Sequence, residues 1–267
     1  MARRSVRLAI VTALGVLVAL GVYYAFFLGG PAPRAARDWE LLATLPNPRG
    51  ETAAGEVGGR LYVAGGLTGL TFAVSDEVDA YDPATAAWTV MAPLPEPRNH
   101  AAGAGLDGLF YVSGGGGPDN NAPQEEIWAL DPARDRWTEL APMPEGRYAH
   151  RMVGLDGLLY VVGGDGETSR VLIYDPASDT WSTGAEMPVQ RNHLAAVAAH
   201  GGVWAIGGRV AAGILDRVDI YDPATDTWSS GPPLPEATSA ASEGALGSVI
   251  VISGGEAPGQ DGRMVDD

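Results

Sequence analysis

The stretch IYDPASDTW, Ile173 to Trp181, returns 47 residues later as IYDPATDTW, Ile220 to Trp228, with one Ser-to-Thr difference. Self-similarity at a fixed pitch of about 20 to 50 residues marks a repeat architecture. Aligned on this echo, five double glycines fall into register: Gly65-Gly66, Gly114-Gly115, Gly163-Gly164, Gly207-Gly208 and Gly254-Gly255, at intervals of 49, 49, 44 and 47 residues. Trp39, Trp88, Trp137, Trp181 and Trp228 keep the same intervals. Between glycines and tryptophans stand YDP, LDP, YDP and YDP, beginning at Tyr81, Leu130, Tyr174 and Tyr221.

Each unit reads as four strands. AAGAGL (Ala101 to Leu106) turns at Asp107-Gly108 into LFYVSGG, and Asp156-Gly157 repeats the device. Asp-Gly between two alternating apolar runs is a strong two-residue hairpin signal. After the double glycine come a loop of variable length, a strand ending in the D-P turn, and a strand carrying the tryptophan. A four-stranded antiparallel sheet of this kind cannot bury both faces alone, so the units are expected to stack around an axis as the blades of an all-β propeller.

The run G-G, then Y-D-P, then W resembles the kelch repeat. The resemblance covers residues 38–267 and implies a kelch β-propeller of four-stranded antiparallel blades, galactose-oxidase-like in fold. Leu130 in place of Tyr, and Val251 where other repeats carry Tyr or Trp, depart from the pattern. DWELLATLP (Asp38 to Pro46) reads as a fourth strand without its first three, and GGEAPGQDGRMVDD (Gly254 to Asp267) supplies the first two of them and at most the start of the third, Arg263-Met264-Val265 being a poor strand. Pairing the termini gives five blades; a fragment of a six- or seven-bladed ring is the alternative.

Composition narrows the function classes. There is no Cys, which excludes disulfides and thiolate metal sites within these residues; the copper-oxidase branch resembling galactose oxidase, whose chemistry uses a Cys cross-linked to Tyr, is out unless further chain beyond these residues carries that Cys. Residues 1–7 carry three arginines ahead of an uncharged run, Leu8 to Leu28. A helix of that length spans the roughly 30 Å hydrocarbon core, and the positive-inside rule puts residues 1–7 in the cytoplasm. The expectation is a membrane-anchored, bacterial-type member: signal anchor 8–28, linker 29–37, propeller 38–267 on the extracytoplasmic side. Secretion after signal cleavage is the alternative. Beyond residue 37, 12 Arg stand against 33 acids, a net charge of 12 − 33 = −21. Nucleic acid is therefore not an expected partner.

A propeller places its binding site at one mouth of the central channel, on the loops following each double glycine (LTGLTFAVSDE, GGPDNNAPQEE, DGETS and RVAAGILD) and on the loops between blades, which here read NPRGE, EPRNH, EGRYA, VQRNH and EATSA. Four carry Arg in one column, Arg49, Arg98, Arg147 and Arg191, followed two residues on by Glu51, His100, Ala149, His193 and Ala240. The candidate ligand-binding residues are Arg49, Arg98, Asn99, His100, Arg147, Tyr148, Arg191, Asn192 and His193. The arginines either form a cationic mouth for an anion through charge-assisted hydrogen bonds or tie neighbouring blades through backbone carbonyls. Nothing near either histidine has metal-ligand spacing, so neither a metal nor a cofactor is expected. The function expected is a binding module recognising a peptide, partner protein or glycan, acidic ligands included. The alternative is a carbohydrate-active enzyme resembling a sialate mutarotase, with His100, His193 or Glu51 as base.

Overall fold

The computed structural model describes residues 43–118, 122–166 and 169–257. The expected anchor, the linker, Trp39, Asp119 to Asn121 and the closing segment after Ala257 lie outside these residues, as does the pairing of the two termini. Among the described residues every regular element is a strand. Blade 1 consists of Ala53–Val57, Arg60–Ala64, Val78–Asp82 and Ala87–Met91; blade 2 of Ala102–Leu106, Leu109–Ser113, Ile127–Asp131 and Arg136–Glu139. Blade 3 comprises Arg151–Leu155, Leu158–Val162, Arg170–Asp175 and Thr180–Glu186; blade 4, Ala195–Ala199, Gly202–Ile206, Val218–Asp222 and Thr227–Ser230. A hairpin, Ser242–Leu246 with Val249–Ser253, begins a fifth. Each sheet is an antiparallel meander in chain order, and the first strands pack on one another in sequence from blade 1 to blade 5.

The turns follow their residues. Asp107-Gly108 and Asp156-Gly157 hold positive φ at both positions, as the two-residue turn joining twisted strands requires. The second hairpin of each blade uses the DP aspartate: Asp82, Asp131, Asp175 and Asp222 each accept the backbone N–H two residues on, closing an Asx turn.

The core lies between blades. Four buried clusters occupy the successive interfaces: Tyr62 and Val78 with Phe110 and Leu130, then Tyr111 and Ile127 with Leu159 and Tyr174, Tyr160 and Val171 with Val203 and Tyr221, and Val197 and Ile206 with Ile250 and Ile252. Backbone stitches cross each interface. The second glycine of a pair donates its N–H to the next blade: Gly66 to the Arg98 carbonyl (2.7 Å), Gly115 to Arg147 (2.8 Å), Gly164 to Arg191 (2.8 Å) and Gly208 to Thr238 (2.9 Å). A Cβ on Gly114, at φ +59°, would lie 2.5 Å from the Arg147 carbonyl oxygen, so this approach needs glycine.

At the outer rim the tryptophan and an aspartate latch adjacent blades. Trp181 Nε1 donates to the Ala141 carbonyl (2.7 Å), while Asp179 accepts both the Ala141 N–H (2.8 Å) and the Tyr174 hydroxyl (2.6 Å). Trp228, Asp226, Ala185 and Tyr221 repeat the arrangement. Blade 1 has Ala86 where the latch aspartate stands elsewhere, and the buried Tyr81 hydroxyl has no partner among the described residues.

Candidate functional site at the channel mouth

The residues immediately before the first strands form a column with one conformation. Glu51, His100, Ala149, His193 and Ala240 all have φ between 50° and 54°, a left-handed conformation costly for residues other than glycine. Their backbones are joined blade to blade: His100 N–H donates to the Glu51 carbonyl (2.9 Å), Ala149 to His100 (3.0 Å), His193 to Ala149 (2.9 Å) and Ala240 to His193 (2.7 Å). This chain of amides holds the strained backbone, and it gathers side chains from different blades at one place.

There the Glu51, His100 and His193 ligand atoms lie within 4.8 Å of one another. His100 Nε2 is 3.2 Å from Glu51 Oε2. The His100 ring stacks on Tyr148 at 4.4 Å between centroids and meets His193 edge-on at 5.2 Å. The His100 Nδ1 is 2.7 Å from Asn99 Oδ1 and 2.8 Å from the Tyr148 hydroxyl, and His193 Nδ1 is 2.8 Å from Asn192 Oδ1. The amides have fixed orientations: Asn99 Nδ2 donates to the Gly116 carbonyl (3.1 Å) and Asn192 Nδ2 to Asp165 (2.8 Å).

Burial lowers the pKa of both histidines. His193 is pushed down to about 3, helped by the positive charge of Arg209. For His100 the Glu51 carboxylate partly opposes burial. Tyr148 is pushed up to about 12 by burial and by Glu51 and Asp165. At neutral pH the cluster thus presents two uncharged imidazoles and a phenol beside the Glu51 side chain.

The residues following each double glycine complete the rim. Asp165, Arg209 and Glu256 pair by isolated bridges with Tyr148, Asn192 and Ser239. Arg209 donates to His193 Nε2 (3.0 Å) and to Glu256 (3.1 Å). Sequence reasoning missed these three, although their position directly after G-G was a usable signal. Further along the first strands, Arg151 of blade 3 donates to Glu243 of the fifth hairpin at 2.7 Å.

The arginine column parts from the histidine column. The Arg49, Arg98, Arg147 and Arg191 side chains are at most 2% exposed and turn into the blades rather than toward the mouth. Arg49 donates to the Gly65 carbonyl and pairs with Asp79 (2.6 Å); Arg191 donates to the Ala205 carbonyl and pairs with Asp219 (2.8 Å). Blades 2 and 3 lack that aspartate and use glutamates, so Arg98 pairs with Glu96 and Glu126 while lying 4.9 Å over the Trp128 ring. Arg147 pairs with Glu145 and donates to the Gly163 and Arg170 carbonyls. The cationic mouth is therefore replaced by a tie within each blade, because a guanidinium's fixed donors fit the blade's carboxylates and, for Arg49, Arg147 and Arg191, a carbonyl at or near the double glycine. Of the other candidates, Asn99, His100, Tyr148, Asn192 and His193 do come together.

Residues 34–164 match the family model of the KLHDC2/KLHL20/DRC7 Kelch-repeats domain, and residues 146–188 and 190–235 match the Kelch motif. The chain carries kelch repeats. Among solved structures, the kelch chain is similar in fold to the one titled "Structure of YjhT", with a TM-score of 0.75 and 18% identity over 87% of this chain and 85% of that one. No curated protein sequence matches it.

Proposed function

We propose that this kelch propeller is a binding module, held at the membrane by residues 8–28, that recognises a partner at the mouth built by Glu51, His100, Tyr148 and His193. The observation that carries this reading is the shared left-handed column: strained backbone recurs in every repeat, and at three of its five positions it carries Glu51, His100 and His193, which belong to none of the four core clusters. With the arginines turned inward, the charges at the mouth are Glu51, Asp165 and Glu256 against Arg209. The favoured ligand is therefore a hydrogen-bonding, non-acidic group of a peptide, protein or glycan.

A second reading draws support from one contact, the Glu51 carboxylate 3.2 Å from the neutral His100 ring. Such a pair can take and return a proton, which is what mutarotation of a sugar needs. The test uses the full-length chain in detergent on glycan and peptide arrays, with His100→Ala and His193→Ala beside Arg98→Ala. Binding lost in both histidine variants at unchanged melting temperature supports the mouth; binding retained in both rejects it. Anomer exchange followed by NMR on the sugars that bind identifies the enzymatic alternative.

A further inference from the structure

We propose that Glu51, His100 and His193 form a binding site for one divalent transition-metal ion, Zn2+ being the natural probe. The site holds whether or not the mouth recognises a partner. Two imidazoles and a carboxylate are a donor set suited to first-row divalent metals, and three protein ligands leave a position open toward solvent. Their ligand atoms already lie within 4.8 Å of one another. The 3.2 Å between His100 Nε2 and Glu51 Oε2 nearly equals the roughly 3.3 Å that separates tetrahedral ligands bound at about 2.0 Å. His193 then has to move in by at most about 1.5 Å on the same geometry.

The groups behind the histidines orient them as metal ligands need. A metal-binding imidazole typically donates its other N–H to an oxygen acceptor, which fixes tautomer and ring angle. Here the same device occurs twice. Asn99 and Asn192 each offer Oδ1 to Nδ1 of the following histidine, and each amide is kept from flipping by its Nδ2 bond, to Gly116 and to Asp165. The lone pair is thereby directed to Nε2, which faces Glu51 in His100 and Arg209 in His193. Arg209 provides independent support: a guanidinium is always a donor, so its contact with His193 Nε2 requires that nitrogen to be unprotonated.

His100 also carries a conflict that a cation removes. A neutral imidazole has one N–H, yet His100 meets two groups that can only accept, Asn99 Oδ1 at Nδ1, where the Tyr148 hydroxyl also stands and can donate or accept, and Glu51 Oε2 at Nε2, so one of the two is left unmatched. A metal between Nε2 and Glu51 leaves the proton on Nδ1 for Asn99 and satisfies both sides. Arg209 is the competitor, since it occupies the Nε2 lone pair of His193. Its side chain is 40% exposed and is also paired with Glu256, so it can leave His193 while keeping a carboxylate partner.

The experiment is titration of the EDTA-stripped full-length chain with ZnCl2 by calorimetry and with CoCl2 by visible absorption, whose d–d bands report nitrogen and oxygen ligation. One equivalent binding with micromolar affinity or tighter is expected. His100→Ala and His193→Ala should each abolish the Co2+ bands, Glu51→Gln should weaken binding at least tenfold, and His200→Ala should change nothing. Arg209→Gln should tighten binding several-fold by freeing His193 Nε2; this variant retains all three ligands, so it remains informative if a ligand variant folds poorly. Absence of a stoichiometric Co2+ spectrum overturns the proposal. So does binding that survives both histidine substitutions, or an affinity unmoved by Arg209→Gln.

Discussion

Lowering the pH from 7 to 5 should cost the folded protein about 2 kcal/mol through a single side chain, His150. This residue is fully buried, its Nε2 lies 2.9 Å from the Ser113 hydroxyl, and its Nδ1 has no partner among the described residues. Burial, reinforced by Arg147 and Arg151, pushes its pKa down from 6.5 to about 3. The unfolded chain thus takes up a proton near pH 6.5 that the folded chain refuses until about pH 3. Stability is complete above pH 6.5 and falls through that window, by about 1.4 kcal/mol per pH unit once well below 6.5. At pH 7 the penalty is about 0.2 kcal/mol and at pH 5 about 2 kcal/mol, by the same relation. Urea denaturation of wild type and His150→Gln at both values checks it. Carboxylates and the other histidines titrate in both proteins and cancel in the difference, so the variant should show a smaller loss on acidification by about that amount. Equal losses in the two proteins would show that His150 accepts its proton in the folded state and would refute the reasoning.

Arg191→Met should lower stability by about 1 to 3 kcal/mol by taking a donor from the Ala205 carbonyl and from the fully buried Asp219, which the two-pronged contact with Arg217 keeps compensated; a thermal melt checks it. Ala86→Asp should stabilise blade 1 by about 1 kcal/mol by giving the Tyr81 hydroxyl the partner that Tyr174 and Tyr221 have. Denaturant midpoints measure this gain, and no gain would mean the latch depends on the neighbouring blade alone.

The blades were legible in the sequence because their signals are local. Asp107-Gly108 specifies its turn by positive φ, the DP aspartate closes its own Asx turn, and strand alternation needs only five residues. The double glycine was legible as a close approach, though not its target, the carbonyl of the next repeat's arginine column. The histidines stood out through the repeated R-N-H, and Asn99 and Asn192 came with them. The direction of the arginines did not, since it is decided by buried acceptors such as Asp79 and Asp219, which stand 30 and 28 residues further along the chain. The proximity of Glu51, His100 and His193 was invisible to any rule based on local ligand spacing. They belong to three repeats, and only the stacking of first strands converts equivalent positions into neighbours.

The left-handed column has a consequence for how this protein changes. Its five positions form a restricted alphabet: the backbone admits Glu, His and Ala but resists β-branched residues such as Val, Ile and Thr. Within that alphabet each letter can be rewritten separately, because the amide chain running through the column uses no side-chain atoms. A propeller of this kind can therefore acquire a different specificity one blade at a time, with the architecture indifferent to the message.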